Sequence, residues 1–218
     1  MNHSMRKRCF QYFSDLHLEK KVSIPKIPQV ADNLLLAGDI GHPNTEIYQE
    51  FFKQCSQKYE RVFVVDGNHE WDYKHIPDSK RFERFKLENV KLLENSHVEW
   101  EEYVILGATL WTETTRAWTH EKSVKFFMDT IPLHKGKKII IITHHLPTWH
   151  LIAKHYRENC SERTLSRYAS HLDYHFYNSG APLLWVSGHS HSIMDRKIGK
   201  TRCVINTRGD SHATKWCG

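Results

Sequence analysis

The sequence predicts an α/β fold with several parallel strands, and three observations carry that reading. Short, almost wholly apolar runs such as Leu34-Leu35-Leu36-Ala37, Val62-Phe63-Val64-Val65 and Ile139-Ile140-Ile141-Ile142 read as strands covered on both faces. Stretches with helical spacing alternate with these runs, the order expected of βαβ units. Five of the runs also end in a cluster of Asp, Asn or His.

Taken in order, residues 8–14 form the first buried strand, and Asp15-Leu16-His17-Leu18-Glu19 the turn after it. Pro25 and Pro28 make 20–32 a loop. After the strand at 34–37, Gly38 permits a sharp turn into Asp39. Asn44 or Thr45 caps a helix running to Tyr59, with Glu46 in its first turn and Ile47, Phe51 and Phe52 on its apolar face. The strand at 62–65 leads into the loop 66–70. A helix is expected from Pro77 to Lys86 with Phe82 and Phe85 inward, then short strands near 91–94 and 98–107. Residues 109–115 read as loop, 120–129 as helix, and Lys138–Thr143 as a strand ending at His144-His145. The stretch 148–180 is polar and rich in His, Tyr and Arg, a helix-containing excursion centred on 161–171. Strands at 183–187, 194–198 and 202–206 precede the tail. No repeat, low-complexity tract or linker divides the chain, so residues 1–218 are expected to form one domain.

Composition narrows the function. The longest apolar run is far too short for a bilayer span. The N-terminus lacks the basic, apolar and small-residue succession of a signal peptide. The five cysteines, Cys9, Cys55, Cys160, Cys203 and Cys217, are scattered and odd in number, and no Cys-x-x-Cys occurs. Neither a zinc ribbon nor a disulfide framework is suggested, and a cytoplasmic location is expected. Net charge is +6, which favours anionic ligands such as phosphate esters, nucleotides or nucleic acid. Lys and Arg are spread along the chain, however, as on a solvated basic surface rather than a dedicated nucleic-acid face.

The strand-end clusters are Ser14-Asp15-Leu16-His17, Gly38-Asp39, Gly67-Asn68-His69-Glu70, Thr143-His144-His145 and Gly188-His189-Ser190-His191. Single matches mean little in a chain with 17 histidines. Asp-x-His also occurs at Asp173/His175, read as surface, and at Asp210/His212. Sites in open α/β sheets lie at the carboxyl ends of strands, which is where all five clusters fall. Asp, Asn and His suit a pair of divalent metals, and one carboxylate has lone pairs enough to bridge two ions. His144 and His145 compete for one role, since neighbouring strand residues face opposite ways.

As an ordered set, Asp-x-His, Gly-Asp, Gly-Asn-His-Glu, His and Gly-His-x-His resembles the calcineurin-like metallophosphoesterase superfamily, and the ending resembles its small microbial or viral members. The resemblance implies a four-layer α-β-β-α sandwich with two mixed sheets. It implies two metals: Asp15, His17, Asp39 and His191 for the first, and Asp39 as a bridge, Asn68, His144 and His189 for the second. His144 is preferred over His145 because the family's ligand stands immediately at the strand end. Manganese, iron, zinc or nickel suit these donors, with manganese favoured. A hydroxide between the metals would attack phosphorus, and His69 would stabilise the phosphoryl group or protonate the leaving oxygen. Glu70 orients nearby backbone or a histidine, or is a plain surface residue.

Departures narrow the substrate. Protein phosphatases of this kind carry Gly-Asp-x-x-Asp-Arg-Gly and Leu-Arg-Gly-Asn-His-Glu. Here the stretches are Gly38-Asp39-Ile40-Gly41-His42-Pro43-Asn44 and Val65-Asp66-Gly67-Asn68-His69-Glu70. The Asp that would partner His69 and both phosphate-binding Arg are absent, so His69 needs another partner, such as a carbonyl. The expected activity is a phosphodiesterase, with a phosphomonoesterase, a nuclease or a non-catalytic scaffold as alternatives. Trp71, Tyr73, Trp111, Trp149 and His150 follow motif loops and are candidates to line a substrate pocket or to cover core edges. Arg208 is a candidate for a phosphate contact or a surface ion pair.

Overall fold

The computed structural model describes residues 8–71, 86–178, 180–208 and 215–217. The expected helix at 77–86, Tyr73 and the Asp210/His212 pair fall wholly or almost wholly outside them.

Two mixed sheets form the centre. The first has the order β11-β1-β2-β3-β4, from Lys215–Cys217, Cys9–Phe13, Asn33–Ala37, Arg61–Val65 and Val90–Leu92. The second has the order β5-β6-β7-β8-β10-β9, from Ser96–Trp100, Tyr103–Ala108, Lys138–Thr143, Leu184–Ser187, Thr201–Asn206 and Ile193–Ile198. The inner strands of both sheets run parallel, whereas β11, β5 and β9 are antiparallel edges.

Alternation along β2 shows how the layers arise. Leu35 and Ala37 meet Phe10, Phe63, Ile140, Ile142 and Val186 between the sheets. Leu34 and Leu36 point outward to Phe51, Phe52 and Cys55 of helix α1 (Glu46–Lys58), and the one-turn helix α2 (Asn68–Trp71) follows β3. Each fully buried side chain of this kind stabilises the fold by ~1.5–3 kcal/mol. The outer face of the second sheet packs Leu106, Ile141 and Trp185 against Phe127 of α3 (Glu113–Thr130) and against Leu151, Leu165 and Phe176 of the excursion. Helix, sheet, sheet and helix are therefore the four layers expected. Asn206 joins the sheets, donating to the Tyr12 carbonyl at 3.0 Å and accepting from the Ser14 N–H at 3.1 Å.

Several expectations are corrected. The single strand expected at 98–107 is a hairpin, β5–β6, turning at Glu101-Glu102, with Glu101 at φ 54°. The turn pair itself lacks the Gly or Asn that marks most such turns. Helix α3 begins at Glu113 rather than 120, because Thr112 and Thr115 cap one another reciprocally. Arg116 interrupts it with φ −147° and ψ 76°. His175, expected on the surface, is buried beside Tyr174, while Asp173 accepts from the Thr148 hydroxyl at 2.7 Å.

The tail pairs as β11 on β1, and Cys9 forms a disulfide with Cys217, 208 residues away. The expectation of unpaired cysteines fails there, since pairing over such a separation leaves no local spacing signal. Such a bond persists in oxidising surroundings and is a dithiol in a reducing cytosol. Among the described residues, no helix is long and apolar enough to cross a membrane.

Candidate metal centre

The five clusters converge at the C-terminal ends of β1, β2, β3, β7 and β8. Close approach of these loops depends on glycine. A Cβ on Gly38, which has φ 81°, would lie 2.6 Å from the Gly67 nitrogen and 2.7 Å from His144 Nδ1. The side chains are presented by an uncommon backbone. Ten non-glycine residues have positive φ among those described, and five of them are Asp15, His17, Asp39, His189 and His191. Each such conformation costs ~1–3 kcal/mol and persists where surrounding structure enforces it.

Overlapping groups of donors result; His17, Asp39 and His69 form one, Glu19, His42 and His69 another, and two more carry the expected ligands apart from Asn68. In the first of these two, ligand atoms of Asp15, His17 and His191 lie within 4.8 Å of one another. His191 Nε2 is 3.4 Å from Asp15 Oδ1 and 3.2 Å from His17 Nε2. In the second, Asp39, His144 and His189 are similarly close. His144 Nε2 lies 3.4 Å from Asp39 Oδ2 and 3.1 Å from Asn68 Oδ1. Asp39 faces both groups, its Oδ2 standing 4.0 Å from His17 Nε2. His69 Nε2 is 3.9 Å from the same oxygen. A separate group, His97, Glu99 and His134, lies on the edge strand β5 and the turn after α3.

His144 and His145 have different surroundings. The His144 Nδ1–H donates to the Ala37 carbonyl at 2.8 Å, which turns Nε2 toward Asp39. His145 Nδ1 instead meets the Thr109 carbonyl at 3.3 Å, and its ring packs on His189 with centroids 4.1 Å apart.

Two glutamates brace the site: Glu70 in the backbone-orienting role that was one of its two expected readings, and Glu19 in a role not legible in the sequence. Glu70 is fully buried and accepts N–H groups from Asp39, Ile40, Gly41 and Gly67 at 2.7–3.2 Å. It ties the loop after β2 to the loop after β3. Glu19 Oε1 lies 3.1 Å from both His17 Nδ1 and His69 Nδ1. A carboxylate from the first motif turn, rather than a carbonyl, therefore partners His69.

The charges are interlocked. Burial opposes a charge on His144, but Asp39 holds its pKa up at about 9. Burial likewise works against the Asp39 carboxylate, and His144 outweighs it, holding that pKa well below the usual range. Burial, reinforced by His144, pushes His189 down to about 3. His145 is also driven well down, by burial and by His189. The hydrogen bond to Glu19 raises His69. Two carboxylates, four imidazoles and an amide oxygen are donors that a divalent ion would take, displacing the proton on His144.

A cavity of about 390 Å³ opens beside the cluster, with Asp39, Asn68, His69, His189 and His191 on one side. Trp71, Trp111, Trp149 and His150 are not among its lining residues. Trp71 donates to the Thr109 hydroxyl at 3.0 Å and meets the buried Trp111 edge to face. The Arg116 guanidinium lies 4.3 Å from the Trp111 ring centre. Trp149 donates to the Ala169 carbonyl at 3.2 Å, and His150 stands 3.7 Å from Asp173. Arg208 is exposed, and its backbone N–H bonds the Ser14 carbonyl at 2.7 Å.

A four-layer sandwich with Asp, Asn and His gathered at strand ends defines a metallophosphoesterase-like architecture. The family model for calcineurin-like phosphoesterases matches residues 6–192, and the chain belongs to that family. It is a metal-dependent phosphoric ester hydrolase. An uncharacterised protein of Acanthamoeba polyphaga mimivirus is 25% identical over 260 residues, covering 94% of this chain and 92% of that one. Among solved structures, phosphopantetheinyl hydrolase from Mycobacterium tuberculosis superposes with a TM-score of 0.71 at 16% identity, covering 97% of this chain and 96% of its own. A candidate 5′-nucleotidase from Staphylococcus aureus gives 0.59 at 12% identity, over 92% of this chain and 49% of its own.

Proposed function

We propose that the chain, one domain over residues 1–218, is a two-metal phosphodiesterase. One observation carries this reading: Asp39 Oδ2 lies 3.4 Å from His144 and 4.0 Å from His17, so a single carboxylate faces both donor groups. Asp15, His17, Asp39 and His191 would hold the first ion. Asp39, Asn68, His144 and His189 would hold the second. The donor set suits manganese, iron, zinc or nickel better than magnesium or calcium, and manganese is favoured. When bound, the ions would supply activated water and neutralise phosphoryl charge.

The chain's own groups do the rest. His69 would carry a proton to the leaving oxygen through Nε2. Glu19, on the Nδ1 side of the ring, fixes its orientation and favours its protonated form. Glu70 holds the two motif loops in register. Preference for a diester over a monoester is supported by the cavity lining, whose described residues include no Lys or Arg to clamp a dianion.

The test is hydrolysis by metal-free protein reconstituted with manganese. Bis-(p-nitrophenyl) phosphate should be cleaved in preference to p-nitrophenyl phosphate. Preference for the monoester would overturn the diester assignment. Failure on both, over a panel of metals, would favour a non-catalytic scaffold.

A further inference from the structure

The excursion between β7 and β8 has a purpose that the metal centre does not absorb. Its backbone is pinned to the site. The Leu146 N–H bonds the Tyr168 carbonyl at 3.0 Å, and the Ser170 N–H bonds the Leu146 carbonyl at 2.9 Å. Held in this way, the excursion supplies the far wall of the cavity from Ile152, Tyr156, Cys160, Thr164, Leu165 and Tyr168. Ile152 and Leu165 are each 4% exposed and belong to the core, so the floor is fixed. Tyr156 and Tyr168 are open to solvent at the rim, and the Tyr168 ring centre lies 5.1 Å from that of His189. The wall is mainly apolar, and the described lining residues of the cavity include no Lys or Arg. Its size is that of pockets that bury a small organic group.

Resting on the phosphodiesterase reading, we infer that this cavity is the subsite for the organic part of the substrate. The geometry points to an ester with a single phosphate at the metal centre and an uncharged apolar or aromatic group against Ile152, Tyr156, Leu165 and Tyr168. Among the described lining residues a second phosphate would find no Lys or Arg, which disfavours nucleoside diphosphates and triphosphates.

Two readouts test this. The first compares p-nitrophenyl phenyl phosphate with p-nitrophenyl methyl phosphate, which share one leaving group. The phenyl ester should have the higher kcat/KM by roughly tenfold or more. Leu165→Ala and Tyr156→Ser should each shrink that ratio; Tyr156 is exposed, so the second variant remains informative should the first fail to fold.

The second readout needs no turnover. Cys9 and Cys217 are bonded, and Cys55 and Cys203 are buried, with burial pushing both thiols up to about 12. Cys160 is thus the thiol open to iodoacetamide. Phenylphosphonate should slow its alkylation more than methylphosphonate does. Equal kcat/KM for the two esters together with equal protection would overturn the subsite. Selective protection without turnover of either ester would uphold the subsite and refute the phosphodiesterase reading instead.

Discussion

Two aromatic and polar groups sit after motif strands, and they do opposite things. The histidines at 17, 144, 189 and 191 gather around Asp15 and Asp39 beside the open cavity. Trp71, Trp111 and Arg116 fold against one another and against Thr109, away from that cavity. Sequence position makes both groups site candidates. Partners separate them. The histidines are interlocked with the carboxylates of Asp15 and Asp39, whereas Trp71 gives its N–H to Thr109 and Trp111 buries its ring. Distance from the strand end does not: His17 and His191 stand four positions past β1 and β8, and Trp111, itself left-handed, three past β6.

Substitutions should widen that contrast. Asp39→Asn touches both donor groups, so turnover should fall by more than the ~10–100-fold typical of groups one layer removed from a metal. Steady-state kinetics with metal analysis checks this, and near-normal turnover would break the contrast. His69→Ala should lower kcat by ~10²–10⁴-fold while metal content stays at the wild-type level. Loss of metal in that variant would make His69 a ligand instead. Glu70→Ala leaves several buried N–H groups without an acceptor. It should destabilise the protein by about 3 kcal/mol or more in denaturant unfolding. Trp71→Phe removes the hydrogen bond to Thr109, so stability should drop by ~1 kcal/mol or more with kcat changed little.

Acid should act on one histidine of the cluster, His189, and on one of the excursion, His175. His175 and His189 have pKa values lowered to about 4 and about 3 when folded, chiefly by burial, against about 6.5 unfolded. Their contribution to stability is complete above about pH 6.5 and is lost as pH falls through the folded values, because the unfolded chain takes up protons first. The urea midpoint of metal-free protein should therefore decline steadily from about pH 6.5 to 4. A flat midpoint across that window would show that these imidazoles are not held neutral.

Much of the fold was legible, because apolar strands of four to six residues buried on both faces leave an unmistakable pattern. The strand-end clusters were legible for the same reason, each marking where such a run stops. What escaped depended on contacts distant in sequence or on turns without their usual residues. Glu19 lies two positions past His17, but its link to His69 crosses 50 residues. Glu70 looked equally suited to solvent, and only the meeting of two loops buries it. The Glu101-Glu102 turn and the Cys9–Cys217 bond had no local signal at all.

The most direct measurement is the number of manganese ions bound per chain at saturation, for wild type and for Asp39→Asn. If Asp39 serves both donor groups, wild type binds two ions and the variant loses affinity at both sites. One ion in wild type, or two bound unchanged by Asp39→Asn, would contradict the shared-carboxylate centre.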